Sequence, residues 1–145
     1  VQRHLPRLDA RDLTGAAHVI PDDLPADPCV VVLAFRQRQQ RDVDEWVDAL
    51  PGVPLVEIPL LGTGWRVARG WIEGGMAGGT PEEARPRVWC AYAPVKRVLD
   101  DLGETGHRSA LAAVVRRSGD VLMVFRGAPT PGAVAAVRAA LARHG

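Results

Sequence analysis

The sequence predicts an α/β fold, one mixed central sheet flanked by helices, built from residues 1–145 as a single domain. Three observations predict it. Short β-branched runs mark strands covered on both faces: CVVVLAF at 29–35, LVEIPLL at 55–61 and VWCAY at 88–92. After the first and the third of these, apolar residues recur at i, i+3, i+4, i+7, the period of a one-faced helix. The last third carries two apolar runs joined by a short glycine-bearing loop, the mark of an antiparallel hairpin, before a final helix. A chain of this length buries a sizeable core.

Taken in order, residues 1–12 carry several charges and no clear period, and are expected to form an extension or an edge element. Residues 16–20 form a short strand, ended by the turn-rich PDDLPADP. The strand at 29–35 leads through Arg36, Gln37, Arg38, Gln39, Gln40 and Arg41 into a helix whose stripe is Val43, Trp46, Val47 and Leu50. Pro51 and Gly52 end it, and the strand at 55–61 completes a parallel βαβ unit. Trp65, Ala68, Ile72 and Met76 mark a second helix that dissolves into the glycine-rich GGMAGG at 74–79. Thr80, Pro81, Glu82 and Glu83 have the capping-box pattern for a short helical turn. The strand at 88–92 precedes a helix striped by Val95, Val98, Leu99 and Leu102. Strands at 110–115 and 121–125 form the hairpin, and Thr130 caps a terminal helix that buries Val134, Val137 and Leu141.

Composition excludes several function classes. The net charge is +1, too small a field to suggest nucleic acid. Lys96 is the only lysine among eighteen basic residues, an arginine bias that fits a GC-rich bacterial genome. No apolar run reaches the roughly 18 residues of a membrane span. Two cysteines with sixty residues between them form neither a C-x-x-C nor a zinc spacing, which favours a reducing compartment, and a cytoplasmic location is expected. The start at Val1 leaves room for a removed targeting segment.

A βαβ unit followed by ββα is the order of the thioredoxin fold, and the strand and helix between them resemble the peroxiredoxin-like variant. That resemblance implies a nucleophilic cysteine just after the first core strand, where a helix N-terminus lowers a thiol pKa. Here that place holds Arg36 to Arg41. It also implies a cis-proline before the terminal hairpin, where GHRSA at 106–110 has none. Thiol–disulfide exchange is therefore not expected. Cys29 opens one strand and Cys90 lies inside another, the pattern of small core residues; a redox role would need Cys29 to be accessible near its strand end.

The Arg/Gln stretch has two readings. Asp42, Asp44 and Glu45 could neutralise solvated arginines, or Arg36 and Arg38 could join the helix amides in holding a small anion. Trp65, Arg66, Arg69 and Trp71 share the second helix and offer the residue types that anchor binding surfaces, although Trp65 belongs to the core stripe. The glycine run at 74–79 lacks a phosphate-loop pattern. His4, His18, His107 and His144 are scattered without metal-ligand spacing; Glu104 and His107 could share a turn, but two ligands make no metal site. No nucleophile elbow occurs. No catalytic constellation, metal or cofactor is expected.

From about residue 13 onward the chain resembles the mitochondrial ATP synthase assembly factor family that chaperones subunit 6, and related bacterial thioredoxin-like proteins. The shared pieces are Ala34 and Phe35 before Gln39, Gln40 and Trp46, then Glu57, Ile58 and Pro59. Gly75 and Met76 before Pro81, Tyr92, the hairpin with Gly119, and Gly127 before Pro131 complete them. The resemblance implies a thioredoxin-like fold used as an assembly aid, with Gln39, Gln40 and Met76 as candidates for a shared surface. A non-catalytic binding or assembly protein is the leading expectation, with a protein partner at Arg36, Gln37, Arg38, Gln39, Gln40, Arg66, Arg69 and Met76. A single-cysteine thiol peroxidase or reductase using Cys29 or Cys90 is one alternative; a small-anion binding module is the other.

Overall fold

The computed structural model describes residues 3–61, 82–106 and 108–145. Seven strands form one sheet in the spatial order β2-β1-β5-β4-β3-β6-β7. They are β1 (Leu8–Asp12), β2 (Ala17–Ile20), β3 (Cys29–Ala34), β4 (Leu55–Leu61), β5 (Trp89–Tyr92), β6 (Leu111–Val115) and β7 (Val121–Arg126). The described α-helices are α1 (Gln40–Ala49), α2 (Val95–Leu102) and α3 (Pro131–His144). The expected second helix, with Trp65, Arg66, Arg69, Trp71 and Met76, lies outside the described residues, as does His107.

β3 lies inside the sheet, between β4 and β6, as a strand whose six residues are all apolar and buried must. It runs parallel to β4, with Val32 opposite Glu57 and Ala34 opposite Pro59, and antiparallel to β6, with Leu33 opposite Leu111. β4 is in turn parallel to β5. The period-2 alternation of each strand sends its residues to two separate cores. Val31, Leu33, Ile58 and Leu60 meet Val98, Leu99 and Leu102 of α2 on one face. Val30, Val32 and Ala34 meet Val43 and Trp46 of α1, Leu50 just beyond it, and Ala133, Val137 and Ala140 of α3, on the other.

Residues 1–12 depart from expectation. β1 is no edge element: it lies inside the sheet, antiparallel to both β2 and β5. Leu8, Ala10 and Asp12 point inward while Asp9 and Arg11 point to solvent, an alternation hidden by the charged outward residues. The edge is β2. The hairpin between them turns on the buried Asp12 carboxylate, which accepts from the amides of Thr14 (2.8 Å) and Ala16 (3.1 Å), the Thr14 hydroxyl (2.5 Å), and His18 Nε2 (2.8 Å). The His18 ring stacks on Trp89, centroids 3.9 Å apart.

Two glycines are required by backbone geometry. Gly103 ends α2 at φ +72°, donating to Asp100 while Glu104 donates to Leu99. Gly119 turns the β6–β7 hairpin at φ +98°, where a Cβ would run into the His4 ring. In α3 the Thr130 hydroxyl accepts from the Ala133 amide at 3.1 Å, as its cap position requires. Val134, Val137 and Leu141 of α3 pack on the core as expected, Val137 fully buried and the other two partly, and Ala133 and Ala140 are buried beside them. The turn expected near Thr80 is a 3-10 segment, Glu82–Arg87. No helix among the described residues is long and apolar enough to cross a membrane.

Candidate functional site

The C-terminal end of β3 brings three segments together. Leu33 is opposite Leu111 on β6, and Leu111 is opposite Arg126 on β7, so Arg126 and Gly127 sit at the same end as Phe35 and Arg36. Arg36 is extended (φ −144°, ψ 148°), Gln37–Gln39 forms a 3-10 turn, and Gln40 begins α1. The expected loop is thus mostly helical, with Gln40 and Arg41 already in the first turn of α1.

The candidate side chains divide sharply. Arg36, Gln37 and Arg38 are exposed. Gln39 is turned inward and buried, and its Oε1 accepts from the Phe35 amide at 2.8 Å. That bond closes the strand-to-helix turn, so this side chain holds the corner together. Gln40 donates to Asp44 at 3.0 Å, and Arg41 approaches Glu45 at 3.7 Å across solvent. Glu45 thus answers Arg41, as the neutralising reading expects, while Asp44 is engaged by Gln40. The other candidates, Arg66, Arg69 and Met76, lie outside the described residues.

Two contacts fix the opposite wall. Trp46 Nε1 donates to the Gly127 carbonyl at 2.8 Å, and the Gly127 amide donates to the Ala110 carbonyl at 2.8 Å. Arg126 grips buried Glu104 with two bonds, 2.5 and 3.2 Å, and that ion pair pushes the already high pKa of the Arg126 guanidinium further up. Glu104 therefore serves Arg126; its foreseen neighbour His107 lies outside the described residues.

Cys29 does not reach this corner. Cys29 is fully buried at the opposite end of β3, about 17 Å along the strand from Ala34 at the usual rise per residue. The accessibility required of Cys29 is absent. Burial pushes its thiol up to about 12, against weaker opposing effects of the Ala26 backbone and Arg117. Burial alone pushes Cys90 up to about 11. The two thiols also belong to different cores, Cys29 with α2 and Cys90 with α1 and α3, so the sheet separates them. Both are free.

A residue not singled out as titratable stands behind the corner. Glu57 lies in the middle of β4, 8 % exposed, with Val32 in register on one side and Val88 on the other. Burial and then Asp44 push its carboxyl up to about 7, while a hydrogen bond from Gln40 and the charge of Arg87 act the other way. Its signal in the sequence is a lone acid inside an apolar strand run. Elsewhere, a shallow recess of about 300 Å³ lies against the β1–β2 hairpin, lined by Asp9, Arg11, Val19, Asp23 and half-exposed Tyr92 among others.

No protein-family model matches this chain, and no curated protein matches it. Solved structures do. Yeast Sco1 superposes with a TM-score of 0.61 at 12 % identity, covering 97 % of this chain and 96 % of its own. BsSco, a member of the Sco family of cytochrome c oxidase assembly proteins, gives 0.60 at 8 % identity over 97 % and 94 %. The thio-disulfide isomerase from Thermus thermophilus gives 0.57 at 19 % identity over 99 % and 96 %. Identities this low speak to architecture, and with the seven-stranded mixed sheet they establish that this chain has a thioredoxin-like fold.

Proposed function

We propose that this chain is a thioredoxin-fold binding or assembly protein that holds a protein partner at the corner of Arg36, Gln37, Arg38 and Gln40, without thiol–disulfide exchange. One observation carries the reading: the corner where a redox member of the fold would carry its thiolate presents exposed arginine and glutamine, while Cys29 and Cys90 are buried on opposite faces of the sheet. A thiolate nucleophile needs exposure and a lowered pKa, and both thiols have the reverse. Arginine on a preordered backbone is a residue type that anchors partners. An assembly role is in keeping with the Sco proteins, which share the fold, and with the likeness to the ATP synthase assembly factor family; ATP synthase subunits are the first clients to look for. Free, buried thiols are compatible with a reducing compartment such as the cytoplasm.

The test is affinity capture from the native organism with three baits: the wild type, Cys29→Ser with Cys90→Ser, and Arg36→Ala with Arg38→Ala. A specific partner retained by the cysteine variant and lost by the arginine variant supports the proposal. Peroxide consumption or insulin-disulfide reduction that disappears in Cys29→Ser would refute it. Thermal shifts with phosphate, sulfate or acetate, abolished in the arginine variant, would instead identify the corner as a small-anion site.

A further inference from the structure

A strand at the end of a sheet leaves a row of backbone amides and carbonyls unpaired, a ready template for a second chain. β2 is such a strand, outermost in the sheet beside β1. Its register fixes which groups face outward. The Asp12 amide donates to the Ala16 carbonyl at 3.0 Å, so His18 opposite Ala10 and Ile20 opposite Leu8 are the hydrogen-bonded pairs of the hairpin. Ala17 and Val19 alternate with these, and their amides and carbonyls point away from β1. Val19 does not leave its two groups open. Its amide donates to Asp23 Oδ2 at 2.6 Å, and its carbonyl accepts from the Asp23 amide at 2.8 Å. One residue thus occupies both. The turn holds Asp23 there: the Leu24 amide donates to the Pro21 carbonyl at 3.2 Å, and the Leu24 side chain is buried in the core beneath. The far end of the sheet is treated alike. Residues 3–5 run antiparallel along the start of β7, with the Leu5 amide on the Gly119 carbonyl at 2.8 Å and the Val121 amide on the Arg3 carbonyl at 3.2 Å.

We propose that Asp23 is an edge guard, which keeps β2 from pairing with the β2 of a second copy of this chain. Antiparallel pairing of two copies about a twofold axis at His18 sets Ala17 of each opposite Val19 of the other. Both are then hydrogen-bonded pairs, and all four outward groups of each edge find a partner. The edge is self-complementary in this register, which is why the partner excluded is a second copy. Each of the two pairs contains a Val19, so Asp23 cancels the whole ladder rather than half of it. The guard also sets an anion at the edge. Asp23 is exposed, and a second copy arriving there would strip two carboxylates of water, one from each chain, and take from them the amides they now hold. β1, β5 and β4 separate β2 from β3, whose end forms the corner, so the guard does not depend on the binding reading above.

Sedimentation equilibrium of the full chain over a concentration series tests it, comparing the wild type with Asp23→Ala. The variant is expected to self-associate at least about tenfold more tightly than the wild type. Hydrogen–deuterium exchange then locates the contact: in Asp23→Ala, peptides covering 16–20 must gain protection as concentration rises, while peptides from β6 do not change. Equal association of the two proteins would overturn the proposal. So would a gain in association without protection at 16–20, because the new contact would then lie on another surface. Should Asp23→Ala fail to fold by circular dichroism, Asp23→Ser decides by the same two criteria, since its hydroxyl stops one bond short of the carboxylate oxygen.

Discussion

The two buried thiols allow a quantitative test of the non-redox reading. An ordinary thiol at 9.0 is about one-tenth thiolate at pH 8; at about 12, Cys29 is ionised in roughly one molecule in ten thousand. The reactive form is thus reduced about a thousandfold, and for Cys90, at about 11, about a hundredfold. Access lowers both further, since Cys29 is fully buried and Cys90 nearly so. The Cys29 S–H is moreover aimed at the Val30 and Pro54 carbonyls, each 3.5 Å away. Labelling with iodoacetamide at pH 8, followed by peptide mass spectrometry, reads each thiol separately in native buffer and in guanidinium. Native labelling of Cys29 is expected to run at least about a thousandfold slower than denatured labelling, with Cys90 at least about a hundredfold slower. Labelling of native Cys29 within tenfold of its denatured rate would show an accessible, activated thiol and refute the reasoning.

Two further outcomes follow from the hairpin and the corner. Burial pushes the Asp12 carboxyl up, but bonds from Thr14, His18 and Ala16 outweigh it and hold it at about 2. The folded value is depressed, so the stabilisation is complete above the ordinary 3.8 and lost as pH falls toward 2. Asp12→Asn should erase about 1 kcal/mol of that acid limb once solvent screening is counted, seen in urea titrations at pH 6 and pH 3, and an unchanged acid limb would contradict it. Trp46→Phe removes the bond to the Gly127 carbonyl and should lower stability by about 2 kcal/mol; a loss below about 0.5 kcal/mol in denaturant unfolding would mean that this tie does not hold the corner.

Where a single period decides the structure, the fold was legible. The fully apolar β3, the stripe of Val43, Trp46 and Leu50, and the hairpin around Gly119 each have one physical solution, and the chain adopts it. β1 was missed because its inward line is Leu8, Ala10 and Asp12, two modest apolar residues and an acid that earns burial through four local donors. The inner face of α3 was read in part: Val134, Val137 and Leu141 do pack on the core, but buried Ala133 and Ala140 escaped, because hydropathy barely separates them from the helix around them. Of the candidate site, position along the chain was legible and orientation was not. Gln37 and Gln39 are chemically identical, yet one faces solvent and the other caps the Phe35 amide; only the 3-10 geometry distinguishes them. That Cys29 and Cys90 belong to opposite faces depends on strand register, which composition does not carry.

The corner is held at three points: Gln39 on the Phe35 amide, Trp46 on the Gly127 carbonyl and Arg126 on Glu104. A dithiol site at this place would leave part of the turn to change with oxidation state; here every tie is a hydrogen bond or ion pair indifferent to redox potential. The backbone under Arg36 to Arg38 is thereby ordered before any partner arrives, so association costs mainly the side-chain freedom of a few exposed residues, roughly 0.5–1.5 kcal/mol each. On the proposed reading Cys29 and Cys90 are core residues, and their replacement by serine should leave partner capture unchanged.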